Sequence, residues 1–133
     1  MNNPLVLEME TAYKLPSNSS TESNRHVAEM IRMRFPKDMK VAEALKEISD
    51  NKFTITEGNS EGFRRWPDGE FKPHVAEDIK KHIKKNYTKT QVNYWAKFDY
   101  WPSPLEKREV IITIETNGGI IVKSTGVIYS RTF

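Results

Sequence analysis

The alternation of apolar and polar residues predicts the most regular strand of the chain over residues 91–101. Five apolar residues share one side and should face the core: Val92, Tyr94, Ala96, Phe98 and Tyr100. The other side carries Trp95, Lys97 and Trp101, because successive side chains of a strand point to opposite faces of the sheet. Pro102 ends the strand. The two tryptophans are either exposed as a stacking platform or buried under a helix packed across this second side, and the apolar look of both sides slightly favours burial.

Apolar residues spaced three and four positions apart predict three amphipathic helices. The first begins at a capping box of Ser19 and Glu22 and ends at Pro36. The second is capped by Asp38, and the third begins at Pro73, a residue suited to the first helical turn. The apolar stripes are Val27, Met30, Ile31 and Phe35, then Val41, Ala44, Leu45 and Ile48, then Val75, Ile79, Ile83 and Tyr87.

Two further strands are predicted before the middle of the chain. A short alternation over residues 5–9 predicts an N-terminal strand, and residues 52–56 form a brief strand with Phe53 and Ile55 pointing inward. Residues 57–72 contain three glycines and a Pro-Asp-Gly turn signal but no regular period. We therefore expect a long ordered loop there, and loops of this length are often functional.

A β-hairpin is predicted around the Asn-Gly-Gly sequence at 117–119. A two-residue turn would pair Ile112 with Lys123 and mix apolar and charged groups on both faces. A three-residue loop with one left-handed glycine and a bulge instead gathers five apolar residues on one face: Val110, Ile112, Ile114, Ile120 and Val122. We expect the three-residue loop, and we expect Gly126 to bend the chain before a final strand over residues 127–131.

The order of these elements predicts an α+β domain. We expect three helices packed on one face of an antiparallel sheet of four to five strands, with a C-terminal hairpin and meander. The length of 133 residues suits one domain, 1–133. Residues 1–21 are predicted to be a strand plus a loop whose composition allows flexibility.

The composition argues against several chemistries. The chain has no cysteine, so it cannot form a disulfide, a thiolate metal site or a thiol nucleophile. His26, His74 and His82 are scattered, and phosphate-loop, Gly-x-Ser-x-Gly and paired-carboxylate motifs are absent. We therefore predict no catalytic residues, no metal site and no cofactor. No basic leader and no apolar run of about 18 residues occurs, so we expect a soluble, cytoplasmic chain without a membrane partner.

The excess of positive charge is concentrated in the middle of the chain. The formal net charge is +3, and residues 62–108 contain eleven Lys or Arg against six Asp or Glu. Four lysines lie on the outer face of the third predicted helix: Lys80, Lys81, Lys84 and Lys85. Such a face can hold nucleic-acid phosphates. A solvated helix exterior with an ion pair between Glu77 and Lys81 is the simpler interpretation.

Aromatic and cationic residues alternate just before that helix. The group comprises Phe63, Arg64, Arg65, Trp66, Lys72 and His74. These residue types stack on unpaired bases and hold phosphates, and they are also enriched in protein interfaces. Alternatively, the rings anchor a long loop to the core. Trp95, Lys97 and Trp101 resemble a stacking platform on a sheet. We predict that they and the aromatic and cationic group together form a surface that binds nucleic acid or a protein partner.

Three functions follow from these patterns. The first is a small non-enzymatic nucleic-acid-binding or nucleic-acid-associated module that uses the mid-chain basic and aromatic surface. The second is a protein-interaction module, such as a small inhibitor, adaptor or accessory factor of phage or mobile-element type. The third is a metal-independent ribonuclease-like toxin, in which His74, Lys72 and either Arg65 or Arg131 supply the acid, the base and the cation.

Overall fold

The computed structural model describes residues 3–59, 62–65 and 92–133. This part of the chain forms three helices and five strands: α1 (Pro4–Tyr13), α2 (Ser20–Arg34), α3 (Val41–Asp50), β1 (Thr54–Asn59), β2 (Gly62–Arg65), β3 (Val92–Ser103), β4 (Glu106–Asn117) and β5 (Ile120–Thr132). The strands form an antiparallel sheet in the order β2-β1-β3-β4-β5. The α+β class is therefore confirmed. The helix predicted from Pro73 lies outside the described residues.

The N-terminal segment is a helix, so the strand predicted over residues 5–9 is wrong. The Asn3 side chain caps the helix by accepting a hydrogen bond from the Val6 N–H at 3.1 Å, and Pro4 occupies the first turn. Leu5, Val6, Met9 and Ala12 are buried, which is a helical stripe, whereas Leu7 is exposed. The alternation of Leu5, Leu7 and Met9 therefore did not mark a sheet face.

The second and third helices carry the stripes that the sequence predicts. Val27 and Ile31 of α2 and its C-cap residue Phe35 are fully buried, and Met30 is half-buried. Ser19 caps this helix by accepting a hydrogen bond from the Glu22 N–H at 3.1 Å. The stripe of α3 is also buried: Val41, Ala44, Leu45 and Ile48. The predicted Asp38 cap is wrong, because Lys40 occupies the N-cap position without a side-chain hydrogen bond.

The hairpin between β4 and β5 differs from the predicted one. Asn117 pairs with Ile120, so the loop is the two-residue turn Gly118–Gly119. Both glycines have positive φ, 63° and 83°, which suits a type I′ turn. Ile121 pairs with Thr116 and is buried, while Ile120 and Val122 are exposed, and the register then shifts between Thr116 and Glu115. The expected grouping of Ile120 and Val122 with the buried residues of β4 is therefore wrong, since Ile112 pairs with Gly126 and Ile114 with Ser124.

Helix α2 packs against β5, which continues through the predicted bend at Gly126. A Cβ atom at Gly126 would lie 2.5 Å from the Ile31 Cγ1 atom, so only glycine permits this close approach. The Ser124 hydroxyl donates to the Phe35 carbonyl oxygen at 2.7 Å. The Asn24 side chain accepts from the Ile128 N–H at 2.7 Å and donates to its carbonyl oxygen at 3.0 Å. These contacts join the helix to the edge strand of the sheet.

The segment before β3 contains more strand than the sequence predicts. Phe53 and Ile55 are buried as predicted, but β1 extends to Asn59. The long loop predicted over residues 57–72 is wrong in its first part, because β2 pairs with β1 there.

Candidate functional site

The two sides of β3 define two faces of the sheet. Val92, Tyr94 and Ala96 are buried, as predicted, and the face that they share is called the inner face. Trp95, Lys97 and Trp101 lie on the opposite side, called the outer face. Trp95 is 37% exposed and Trp101 is 55% exposed. Of the two alternatives for these tryptophans, the structure shows exposure.

A network of ion pairs occupies the centre of the outer face. Asp99 and Glu109 lie directly opposite each other on β3 and β4. Lys97 Nζ lies 3.6 Å from an Asp99 carboxylate oxygen and 3.9 Å from Glu109 Oε1. Lys107 Nζ lies 3.7 Å from the Asp99 carboxylate and 4.0 Å from Glu109 Oε1, and Arg131 Nη2 lies 3.7 Å from that same Glu109 oxygen. The cations relieve the repulsion between the two carboxylates.

Exposed rings lie beside this network near the C-terminal end of β3. The ring centroids of Trp101 and Phe133 are 5.5 Å apart with an interplanar angle of 32°. Phe133 is held in place because its N–H donates to the Leu105 carbonyl oxygen at 2.8 Å. Tyr129, opposite Glu109 on β5, is 52% exposed. The outer face therefore combines aromatic surface with charged groups.

Strand β2 brings part of the mid-chain group to the same sheet. Arg65 pairs with Thr56 on β1, and Thr56 pairs with Trp95 on β3. Arg65 and Trp95 therefore stand in one cross-strand row. Phe63 and Arg64 also belong to β2. Seven of the predicted site residues lie outside the described residues: Trp66, Lys72, His74, Lys80, Lys81, Lys84 and Lys85.

A second polar cluster links α1 to the inner face of the sheet. The Arg108 guanidinium donates to the buried carboxylate of Glu10 and to Glu106 Oε2, the latter at 2.8 Å. The Ser130 hydroxyl also donates to Glu106. Hydrogen bonds from Ser130 and Arg108 hold the pKa of the Glu106 carboxyl below its ordinary value. This cluster ties the helix to β4 and β5.

The described residues contain no group of three or more His, Cys, Asp or Glu side chains that could hold a metal ion. His26 Nε2 lies 3.4 Å from the Pro16 carbonyl oxygen. Histidines 74 and 82 are outside the described ranges. Of the residues weighed for a ribonuclease, the Arg131 side chain is the one described, and it is paired with Glu109.

Within residues 3–59, 62–65 and 92–133, none of the helices has both the length and the apolar character needed to cross a membrane. The comparisons give no relative from which a function could be transferred: no protein-family model, no curated protein and no solved structure matches the chain. The geometry of the outer face is therefore the basis for a functional proposal.

Sequence reasoning missed several residues of the outer face. Tyr129 and Phe133 add rings to it, and Asp99, Lys107 and Glu109 form the ion pairs. The signal for Tyr129 was the alternation along β5, in which Lys123 and Thr125 occupy one face. The same period of two residues puts Val127, Tyr129 and Arg131 on that face as well.

Proposed function

We propose that this chain is a small non-enzymatic module that binds single-stranded nucleic acid on the outer face of its sheet. In this proposal the helices cover the inner face only, so the outer face stays open to a ligand. The exposure of Trp95 and Trp101 is the observation that carries the proposal. Rings displayed on a sheet stack on unpaired bases, and each stacked base contributes about 1–3 kcal/mol.

The cations beside the rings suit the phosphates of such a strand. Lys97, Lys107 and Arg131 lie within one cluster, although two carboxylates share it. The excess of one positive charge is small, so stacking should supply most of the affinity.

Fluorescence anisotropy with labelled single-stranded and duplex oligonucleotides tests the proposal. We expect the single strand to bind more tightly, because its bases are free to stack. Each phosphate contact on a single strand contributes about −0.7 to the slope of log affinity against log salt, so three cations predict a slope near −2. Steeper slopes would point to the lysines of residues 80–85 instead.

Substitutions separate the outer face from the rest of the molecule. Trp95→Ala and Trp101→Ala should each weaken single-strand binding about tenfold, given the free energy of base stacking. Met33→Ala is the control, because Met33 is a large exposed residue on α2. Absence of binding at low salt, or equal binding by the tryptophan variants, would reject the proposal.

A protein partner is the second candidate, and the paired charges favour it. Each cation of the central network already has a carboxylate within 4.0 Å, which weakens its attraction for a polyanion. Exposed Trp, Tyr and Arg side chains are typical anchors of protein interfaces. A partner recovered from a nuclease-treated lysate by the wild-type chain, but lost with Trp101→Ala, would support this candidate over nucleic acid.

A further inference from the structure

A groove of about 440 Å³ lies between α1 and α2. Leu15, Met30 and Met33 supply most of its apolar surface, and Glu8 and Glu29 supply carboxylates. Met33 is 84% exposed and Leu15 is 47% exposed. Three adjoining apolar side chains around a concave surface differ from the single exposed residues that are normal on proteins.

The shape and the residue types of the groove suit a helix. Met30 and Met33 lie about one turn apart on α2, and Leu15 faces them from the segment after α1. A surface groove between two packed helices can accept the apolar stripe of a third. Methionine side chains are flexible and adapt to different partners.

The charge of the groove defines the partner further. Glu29 forms no ion pair with any residue of the described ranges. Glu8 shares Arg34 with Glu47, and its Oε2 lies 3.2 Å from Arg34 Nη1. The lining thus carries two carboxylates and one histidine, His26, and the one arginine beside it is shared by two glutamates, so the groove is acidic although the whole chain has a net charge of +3. Such a surface attracts a cationic partner and repels an acidic one.

We propose that this groove docks an amphipathic helix of a protein partner that carries Lys or Arg beside its apolar stripe. The proposal rests on residues other than those of the outer face, so it does not depend on the proposed function. The partner's apolar stripe contacts Met30, Met33 and Leu15, and its cations approach Glu29 and Glu8.

Two synthetic peptides of about 18 residues, or about five helical turns, test this docking. Both carry the same leucine stripe, but one has lysine and the other glutamate on its polar face. With the methionine methyl groups labelled for NMR, the lysine peptide should shift the signals of Met30 and Met33 and leave buried Met9 unchanged. The glutamate peptide should bind at least about tenfold more weakly, because like charges across an interface are unfavourable.

Substitutions at exposed positions complete the test without threatening the fold. Met33→Lys should abolish binding of the lysine peptide, and Glu29→Lys should weaken it. Leu105→Lys is the matched control, because Leu105 is exposed between β3 and β4, and it should bind as the wild type does. Equal affinity for both peptides, or wild-type binding by Met33→Lys, would overturn the proposal. Self-association that Met33→Lys removes would overturn it too, since a second copy would then occupy the groove.

Discussion

At the scale of single residues, Gly126 determines how closely α2 approaches the sheet. A methyl group there would lie 2.5 Å from Ile31 Cγ1 and 3.1 Å from Met9 Cε, both in the core. Gly126→Ala should therefore lower the free energy of unfolding by about 1–3 kcal/mol, the usual effect of overpacking. Urea denaturation measures this change.

A double-mutant cycle identifies the cause of that loss. Ile31→Ala removes the contacted Cγ1 atom, so Gly126→Ala should be less harmful in that background. If the alanine at 126 costs the same in both backgrounds, or stabilises the wild-type chain, the close approach is not what requires glycine.

Glu106 gives the stability of the fold a defined dependence on pH. Its pKa is lowered by hydrogen bonds from Ser130 and Arg108, so the folded state binds this proton less readily than the unfolded state. The stabilisation is present above the unfolded pKa and is lost as the pH falls through the lower folded pKa. Glu106→Gln should reduce stability at neutral pH and flatten the loss on acidification. Denaturation at several acidic pH values would contradict this if both chains lost stability in parallel.

At the scale of elements, α2 protects an edge of the sheet. The Asn24 side chain holds both backbone groups of Ile128, which would otherwise be free to pair with another strand. Asn24→Ala should lower the free energy of unfolding by about 1–3 kcal/mol and promote self-association. Asn24→Asp retains the acceptor for the Ile128 N–H but loses the donor, so its effect should be intermediate. Sedimentation velocity would disagree if Asn24→Ala stayed as monodisperse as the wild type.

The sequence predicted those elements whose apolar stripes allow one interpretation. The predicted stripe of α3 is buried throughout, and those of α2 and β3 are buried except at Met30, Phe98 and Tyr100, which are half-buried. Residues 5–9 fit a period of two as well as a helix, and the Asn3 cap with Pro4 decided for the helix. The hairpin register depended on a bulge near Glu115, which leaves no mark in the apolar pattern.

The candidate site was predictable only in part for a related reason. Alternation alone placed Trp95, Lys97 and Trp101 on one face. Their exposure depends on what packs across that face, which a local period cannot show. Tyr129 joins them through the register of β5, and that register follows from the same bulge.

At the scale of the whole molecule, the described residues present two surfaces of different character. The outer face combines exposed rings with a network of three cations and two carboxylates, whereas the groove between α1 and α2 is apolar and acidic. A polyanion and a cationic helix would therefore bind at different places on the chain. The central claim is that the outer face takes a single strand.

An NMR titration with a single-stranded oligonucleotide at low salt tests that claim most directly. The account predicts that backbone amide signals of Trp95, Lys97, Trp101 and Tyr129 shift together, while those of α2 around Met33 do not. Shifts confined to the helices, or a spectrum unchanged by the oligonucleotide, would contradict it.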